Sequence, residues 1–171
     1  MLTGVLKPCS GEMVRNARIT SLLTINLGML DEATGFKNAR IMAVIKKVPK
    51  AKRAKFISDV VEVSELQSYM HLPLRTYSSG MRLRLAFAVA ILVDVDVIIM
   101  DEIIGVADKK FRHHMMSCIK STLAKDKALV LASHSEPIIA DLCNRVIEME
   151  AGKIVDRRMP VLEDKSVALT A

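Results

Sequence analysis

Tyr77-Ser78-Ser79-Gly80-Met81 opens an apolar stretch that runs to Leu92, and Val97-Ile98-Ile99-Met100 then delivers Asp101-Glu102. The first piece is a small polar turn feeding a helix that is apolar almost all round, which predicts a helix buried in a multi-layer fold. The second is a continuous β-branched run, the mark of a strand in a parallel sheet covered on both faces. Unsatisfied amides and the dipole at a helix start favour an anion, and Ser78 and Ser79 add hydroxyl donors. A plain N-cap explains the same residues equally well taken alone.

The remaining bounds are broad. A chain of 171 residues fits one domain with a real core. Half of it is apolar, Trp is absent, and eleven methionines mark an aliphatic, Met-rich interior. The net charge of +6 permits a nucleotide, a nucleic acid or an anionic surface as partner and selects none. Cys9, Cys118 and Cys143 are scattered without a C-x-x-C pair, which fits free thiols in a reducing compartment. The opening Met1–Pro8 lacks the long apolar core of a secretion signal, and Leu83–Val93 is too short, and too interrupted by Arg84, to span a bilayer. A soluble, cytoplasmic protein able to dock on a membrane partner is the expectation.

Taken in order, Met1–Leu6 reads as the last turn of a helix stopped by Lys7-Pro8, with a turn at Pro8–Gly11. Gly11–Val14 and Arg18–Leu23 predict a hairpin around Asn16-Ala17, and Asn26–Phe36 a loop. A helix follows over Phe36–Val48 with Ile41, Val44, Ile45 and Val48 as its apolar set. A second runs from Lys50 to Leu66 with Ala54, Ile57, Val60, Val61 and Val63 turned inward. Downstream come a helix over Lys109–Ala124, a buried strand over Ala128–Ala132 and a helix from Glu136-Pro137 to about Cys143. Arg145–Glu150 and Lys153–Arg157 form a hairpin about Ala151-Gly152. The tail after Pro160 has no clear pattern. This order predicts an α/β domain with a largely parallel sheet and an inserted helical lobe.

Asp101-Glu102 falls at the carboxyl end of a buried parallel strand, where ligands bind in open α/β sheets. The first carboxylate can hold Mg²⁺ and the second can polarise a water; solvated acids at a strand end are the plainer reading. Ser133-His134 ends the next strand, where a histidine could bond a phosphate or simply be satisfied in its loop. His113-His114 lies mid-helix, facing two directions, so a paired metal site is not expected. Lys46, Lys47, Lys50, Lys52, Arg53 and Lys55 form a basic run with no interleaved aromatic, which favours a solvated helical edge over a nucleic-acid reader.

The combination says more than its parts. Tyr77–Ala90, Val97–Glu102, Gly105-Val106-Ala107-Asp108 and Leu131-Ala132-Ser133-His134 follow one another at compact spacing. They resemble the ATP-binding subunit of ABC transporters, most closely the subfamily exporting polysaccharides such as O-antigen, capsule or teichoic acid, whose signature reads Y-S-S-G-M. The likeness covers residues 1 to about 158. It implies an incomplete P-loop NTPase core, a helical subdomain at about 34–93 and a C-terminal tail at 159–171. It implies ATP and Mg²⁺ as ligands, Ser78, Ser79 and Gly80 as a signature on the γ-phosphate held by an opposite subunit, and Asp108 in a D-loop at the dimer interface. Asp101 would hold the metal, Glu102 would be the catalytic base and His134 the switch histidine.

Two departures stand against the family pattern. No G-x-x-x-x-G-K-[ST] occurs in the 171 residues, so the Walker A cradle is absent, together with its normally central strand. The Q-loop region, about Thr24–Leu30, has no Gln, with Asn26 the one available substitute. The resemblance therefore implies a partial ATPase subunit, cytoplasmic and peripheral to the membrane, working with a second ATP-binding subunit and a membrane permease. Alone it should not hydrolyse ATP. The alternatives are an inactive remnant, whose open sheet edge would make it poorly soluble, or a non-hydrolysing partner subunit. A basic nucleic-acid module is the remaining reading, and no nucleic-acid partner is expected.

Overall fold

The computed structural model describes residues 4, 6–22, 28–157 and 166–170, the last segment and residues 156–157 as backbone only. Two compact units are present. One comprises residues 1–23, 95–102 and 120–171, the other residues 24–94 and 103–119.

The first unit is built on a six-stranded sheet. Its strands are β1 (Ile19–Leu22), β2 (Val97–Asp101), β3 (Ala128–Ala132), β4 (Arg145–Glu150), β5 (Lys153–Arg157) and β6 (Ser166–Thr170). Their order is β1-β2-β3-β6-β4-β5, parallel throughout except for the β4–β5 hairpin. Ala151 and Gly152 both take positive φ, 47° and 78°, between the closing pair Glu150↔Lys153. A two-residue loop with both φ positive matches the right-handed twist of the flanking strands, which is why Gly stands there. At the other end, the Arg18 amide donates to Asp96 Oδ2 at 2.7 Å and Arg18 Nη2 lies 2.9 Å from Oδ1, pinning the start of β1 to the start of β2. These bonds hold the Asp96 carboxyl below its ordinary range.

The period of 2 along the strands sorts the two sheet faces. Thr20, Leu22, Ile98, Met100, Leu129 and Leu131 are buried, whereas Ile19, Val97 and Val130 on the opposite face are only half-buried. On that second side Ile99 is buried, and residues 13–17 with Ile19, Val97, Ile99 and Val130 line an apolar cavity of about 240 Å³. Helix α6, over Glu136–Leu142, carries β3 over to β4, its Ile139 packing with Val146 and Cys143.

Two further sequence expectations change. Residues 12–16 form no strand, and β1 pairs with β2, so the N-terminal hairpin is replaced by a parallel ladder. The C-terminal tail, read as patternless, supplies β6 in the interior of the sheet. The helical reading of Met1–Leu6 lies almost wholly outside the described residues, as does Asn26.

The second unit is helical. It holds α1 (Gly35–Ile45), α2 (Arg53–Ser64), α3 (Ser79–Leu92), the short α4 (Ile103–Val106) and most of α5 (Lys109–Leu123). Helix α2 packs on both α3 and α1. The inner face of α1 is Asn38, Ala39, Met42 and Ala43, and Val44 and Ile45 face solvent, so the predicted apolar set of this helix is largely on the wrong side. In α2 the buried residues are Phe56, Val60 and Ser64; Ala54 is exposed, and Ile57, Val61 and Val63 are half-buried. Small residues let α1 approach closely, and the tertiary partner decides the face over raw hydrophobicity. Helix α3 is buried over Leu83 and Leu85–Ile91, as its all-round apolarity predicts. Among the described residues no helix is long and apolar enough to cross a membrane.

Candidate functional site

Within the helical unit the stretch Tyr77–Met81 splits into an anchor and a presented edge. Tyr77 is buried, and its hydroxyl donates to Tyr69 O at 2.8 Å; burial pushes its phenol up and keeps it a donor. It lies against Gly35, where an added Cβ would collide with the Tyr77 hydroxyl and with Met70. Ser78, Ser79 and Gly80 then turn outward at the start of α3. Ser78 is the N-cap, its Oγ accepting from the Met81 amide at 3.2 Å. Ser78 and Ser79 are exposed. The amides of Ser79 and Gly80 belong to the first turn and have no intrahelical acceptor.

Behind this edge two arginines lock α3 in place. Arg82 Nη1 meets Asp31 Oδ1 at 2.5 Å, and Asp31 O accepts from the Arg75 amide at 2.9 Å. Arg84 reaches three groups at once: Glu65 Oε2 at 3.0 Å, Asp108 Oδ2 at 2.7 Å and the face of Phe111 at 4.4 Å. Asp108 caps α5, accepting from the Phe111 amide at 2.9 Å. That bond and the Arg84 guanidinium hold its carboxyl below the usual range. Sequence reasoning did not single out Arg84, Glu65 or Asn38. Asn38 is fully buried and donates to Leu30 O, Ala33 O and Thr34 O while accepting from the Leu30 amide. A buried asparagine four residues after a Thr N-cap was the available signal.

In the sheet unit, Asp101 and Glu102 stand at the carboxyl end of β2, and both are exposed. Glu102 adopts φ 51°, a left-handed conformation costing a non-glycine residue about 1–2 kcal/mol. Its amide donates to Ala132 O at 2.9 Å, which ties the residue to the end of β3. Its Oε1 accepts from the His134 amide at 2.6 Å, and the His134 Nε2 lies 4.0 Å from the same oxygen. Two residues 32 positions apart are thus brought together on one sheet edge. Ser133, buried, accepts from the Ser135 amide and shapes the turn that presents His134.

Other sequence candidates fall elsewhere. His113 is exposed, and His114 Nε2 lies 3.1 Å from Val63 O and 3.7 Å from Cys118 Sγ. Burial, with Glu65 beside it, pushes the Cys118 thiol up. Along the basic run, Lys47, Lys50, Lys52 and Lys55 are exposed, Arg53 donates to Val48 O, and Lys55 pairs with Asp59 at 3.0 Å.

The donor set can be tested against a nucleotide and its metal. Exposed hydroxyls and first-turn amides suit a phosphate oxygen, and an exposed carboxylate at a strand end suits a hard cation. Among the described residues no group of three His, Cys, Asp or Glu side chains could hold a metal by itself.

The ABC transporter family model matches residues 1–105. The teichoic acids export ATP-binding protein TagH of Listeria innocua is 32% identical over 154 residues, 90% of this chain and 46% of TagH. The O-antigen export system ATP-binding protein RfbE of Yersinia enterocolitica is 32% identical over 161 residues, 94% of this chain and 67% of RfbE. The chain thus spans about half to two-thirds of these relatives. A solved ATP binding subunit of an ABC transporter superposes with TM-score 0.73 at 16% identity, over 80% of this chain and 57% of that one. A dimeric ATP-binding cassette in a post-hydrolysis state bound to ADP and Pi gives 0.68 at 19%, covering 80% and 60%. The chain belongs to the ABC transporter family, with the ABC ATPase fold in part and with ATP-binding proteins of teichoic acid and O-antigen export as relatives.

Proposed function

We propose that this chain supplies the signature, Walker B, D-loop and switch-histidine portion of an ATPase that drives polysaccharide export. Asp101 would hold Mg²⁺, Glu102 would act as general base on water, and His134 would sense the phosphate end. Ser78, Ser79 and Gly80 would meet a γ-phosphate cradled by a second ATP-binding subunit. When bound, Mg²⁺ supplies charge neutralisation to the transferring phosphoryl group. The chain's own contribution is positional: β2 and β3 hold Glu102 and His134 at one edge, and the Ser78 cap fixes the first turn of α3.

The observation that carries the reading is the Glu102 carboxylate seated on the His134 amide, with Glu102 held in a left-handed backbone conformation. Strained conformations of this kind cluster at functional sites. No sequence in the 171 residues can form the Walker A cradle, so the chain on its own is inactive and an intact site needs residues from outside it. The second ATP-binding subunit, a permease in the membrane and a cytoplasmic, peripheral location complete the proposal. Leu30, Val44, Ile45, Tyr69 and Leu72 are exposed in the helical unit and would be available to a permease.

The test is to mix the chain with a complete ATP-binding subunit of a polysaccharide exporter. Addition should change that subunit's ATPase rate, and Ser79→Ala in this chain should remove about tenfold or more of the change. A rate indifferent to the added chain would leave only the inactive-remnant reading.

A further inference from the structure

The corner between α1 and α2 differs from the rest of the chain in charge. Residues 33–58 hold eight Lys or Arg and no Asp or Glu, whereas the other residues hold seventeen against nineteen. The net charge of +6 therefore originates in this one stretch of the helical unit. Lys37, Arg40, Lys47, Lys50 and Lys52 are exposed and make no ion pair among the described residues. Lys55 is exposed too, but is held by Asp59.

The backbone gives this corner a fixed shape. Lys47 takes φ 58° just after α1, its amide donating to Val44 O at 2.9 Å and the Val48 amide to Ala43 O at 2.8 Å. Arg53 Nε reaches back to Val48 O at 3.0 Å. On this frame the last turn of α1 leaves Val44 54% and Ile45 56% exposed, close in the chain to exposed Lys47, Lys50 and Lys52. A merely solvated edge gains from lysines and gains nothing from two adjacent exposed aliphatics. A surface that is anionic outside and apolar beneath matches both. A nucleic-acid groove would instead set a stacking aromatic among the lysines, and Phe56, the single aromatic of residues 37–58, is buried.

We propose that the α1–α2 corner docks on an anionic phospholipid surface, with Lys47, Lys50 and Lys52 meeting headgroup phosphates and Val44 and Ile45 entering the boundary with the acyl chains. The lysine stems lie along that same boundary while their ammonium groups stay among the phosphates. The contact needs neither a nucleotide nor a second subunit, so it goes beyond the ATPase reading and stands or falls separately from it.

Flotation of the full chain with lipid vesicles tests this. Vesicles of phosphatidylglycerol and phosphatidylcholine in equal parts should carry the chain, and pure phosphatidylcholine should not. Each lysine near an anionic surface is worth about fivefold in partition, so Lys47→Gln, Lys50→Gln and Lys52→Gln together should weaken binding by roughly tenfold or more. Val44→Ser with Ile45→Ser should weaken it by about tenfold with the circular dichroism unchanged, since both side chains already face solvent. Lys109→Gln, Lys110→Gln and Lys125→Gln, three exposed lysines outside the corner, make the same charge change and should leave binding nearly unaltered. Wild type that ignores the anionic vesicles, equal binding to pure phosphatidylcholine, or an equal loss in both lysine triples overturns the proposal. So does duplex DNA held as tightly as the vesicles and released by the corner lysine changes but not by those at Val44 and Ile45, which would make the corner a nucleic-acid site.

Discussion

A Cβ built on Gly80 would stand 3.9 Å from Ser78 Oγ with nothing closer, and its backbone is helical, so the fold itself has no need of a glycine there. A glycine in a first turn costs about 0.5–1 kcal/mol relative to alanine. Gly80→Ala should therefore leave thermal stability unchanged or raise it by about that amount. If Gly80 meets a phosphate as proposed, the substitution should also abolish the chain's effect on a complete subunit's ATPase rate, because the added methyl group would stand in the way. Gly35 is the opposite case. Its added Cβ would strike Tyr77 and Met70, and Gly35→Ala should lower stability by about 1–3 kcal/mol in chemical denaturation. The two glycines look alike in the sequence, and only packing distinguishes them. Ser78→Ala removes the cap on Met81 N and should cost about 1 kcal/mol.

Helices α3 and α5 are joined by the Arg84 cluster. Arg84 and Arg82 are equally shielded, but Arg84 carries two carboxylate partners and lies over Phe111, whereas Arg82 meets a single carboxylate. Arg84→Ala should cost about 2–3 kcal/mol in urea denaturation, clearly more than Arg82→Ala. Asp108 adds a pH dependence with a definite sign. Its folded pKa is lowered from 3.8, so its stabilising contribution is present above that value and is lost as pH falls through the folded value. The stability gap between wild type and Asp108→Asn should be constant near neutrality and should close below about pH 4, as read from acid titrations of each protein. At this scale the sequence was most informative where structure is local. The Ala151-Gly152 turn announced β4–β5, and the unbroken apolar runs announced β2, β3 and α3. It misjudged α1, because Val44 and Ile45 are more hydrophobic than the Ala39 and Ala43 that pack inward.

For the molecule as a whole, the order of elements and the partial ABC ATPase fold were legible because they rest on motifs with fixed spacing. The position of β6 was not, because pairing of a C-terminal segment with two distant strands leaves no periodic trace in a five-residue stretch. The left-handed Glu102 and its bond to the His134 amide were hidden for the same reason: they depend on β2 and β3 being neighbours. The 171 residues contain no G-x-x-x-x-G-K-[ST] loop, so the proposed signature and hydrolytic edge would have no phosphate cradle of their own. Equilibrium binding of Mg-ATP to the isolated chain tests this most directly. The account predicts no saturable binding up to about millimolar nucleotide, the upper end of ordinary enzyme–substrate affinities; tight, Mg-dependent binding at micromolar ATP would contradict it.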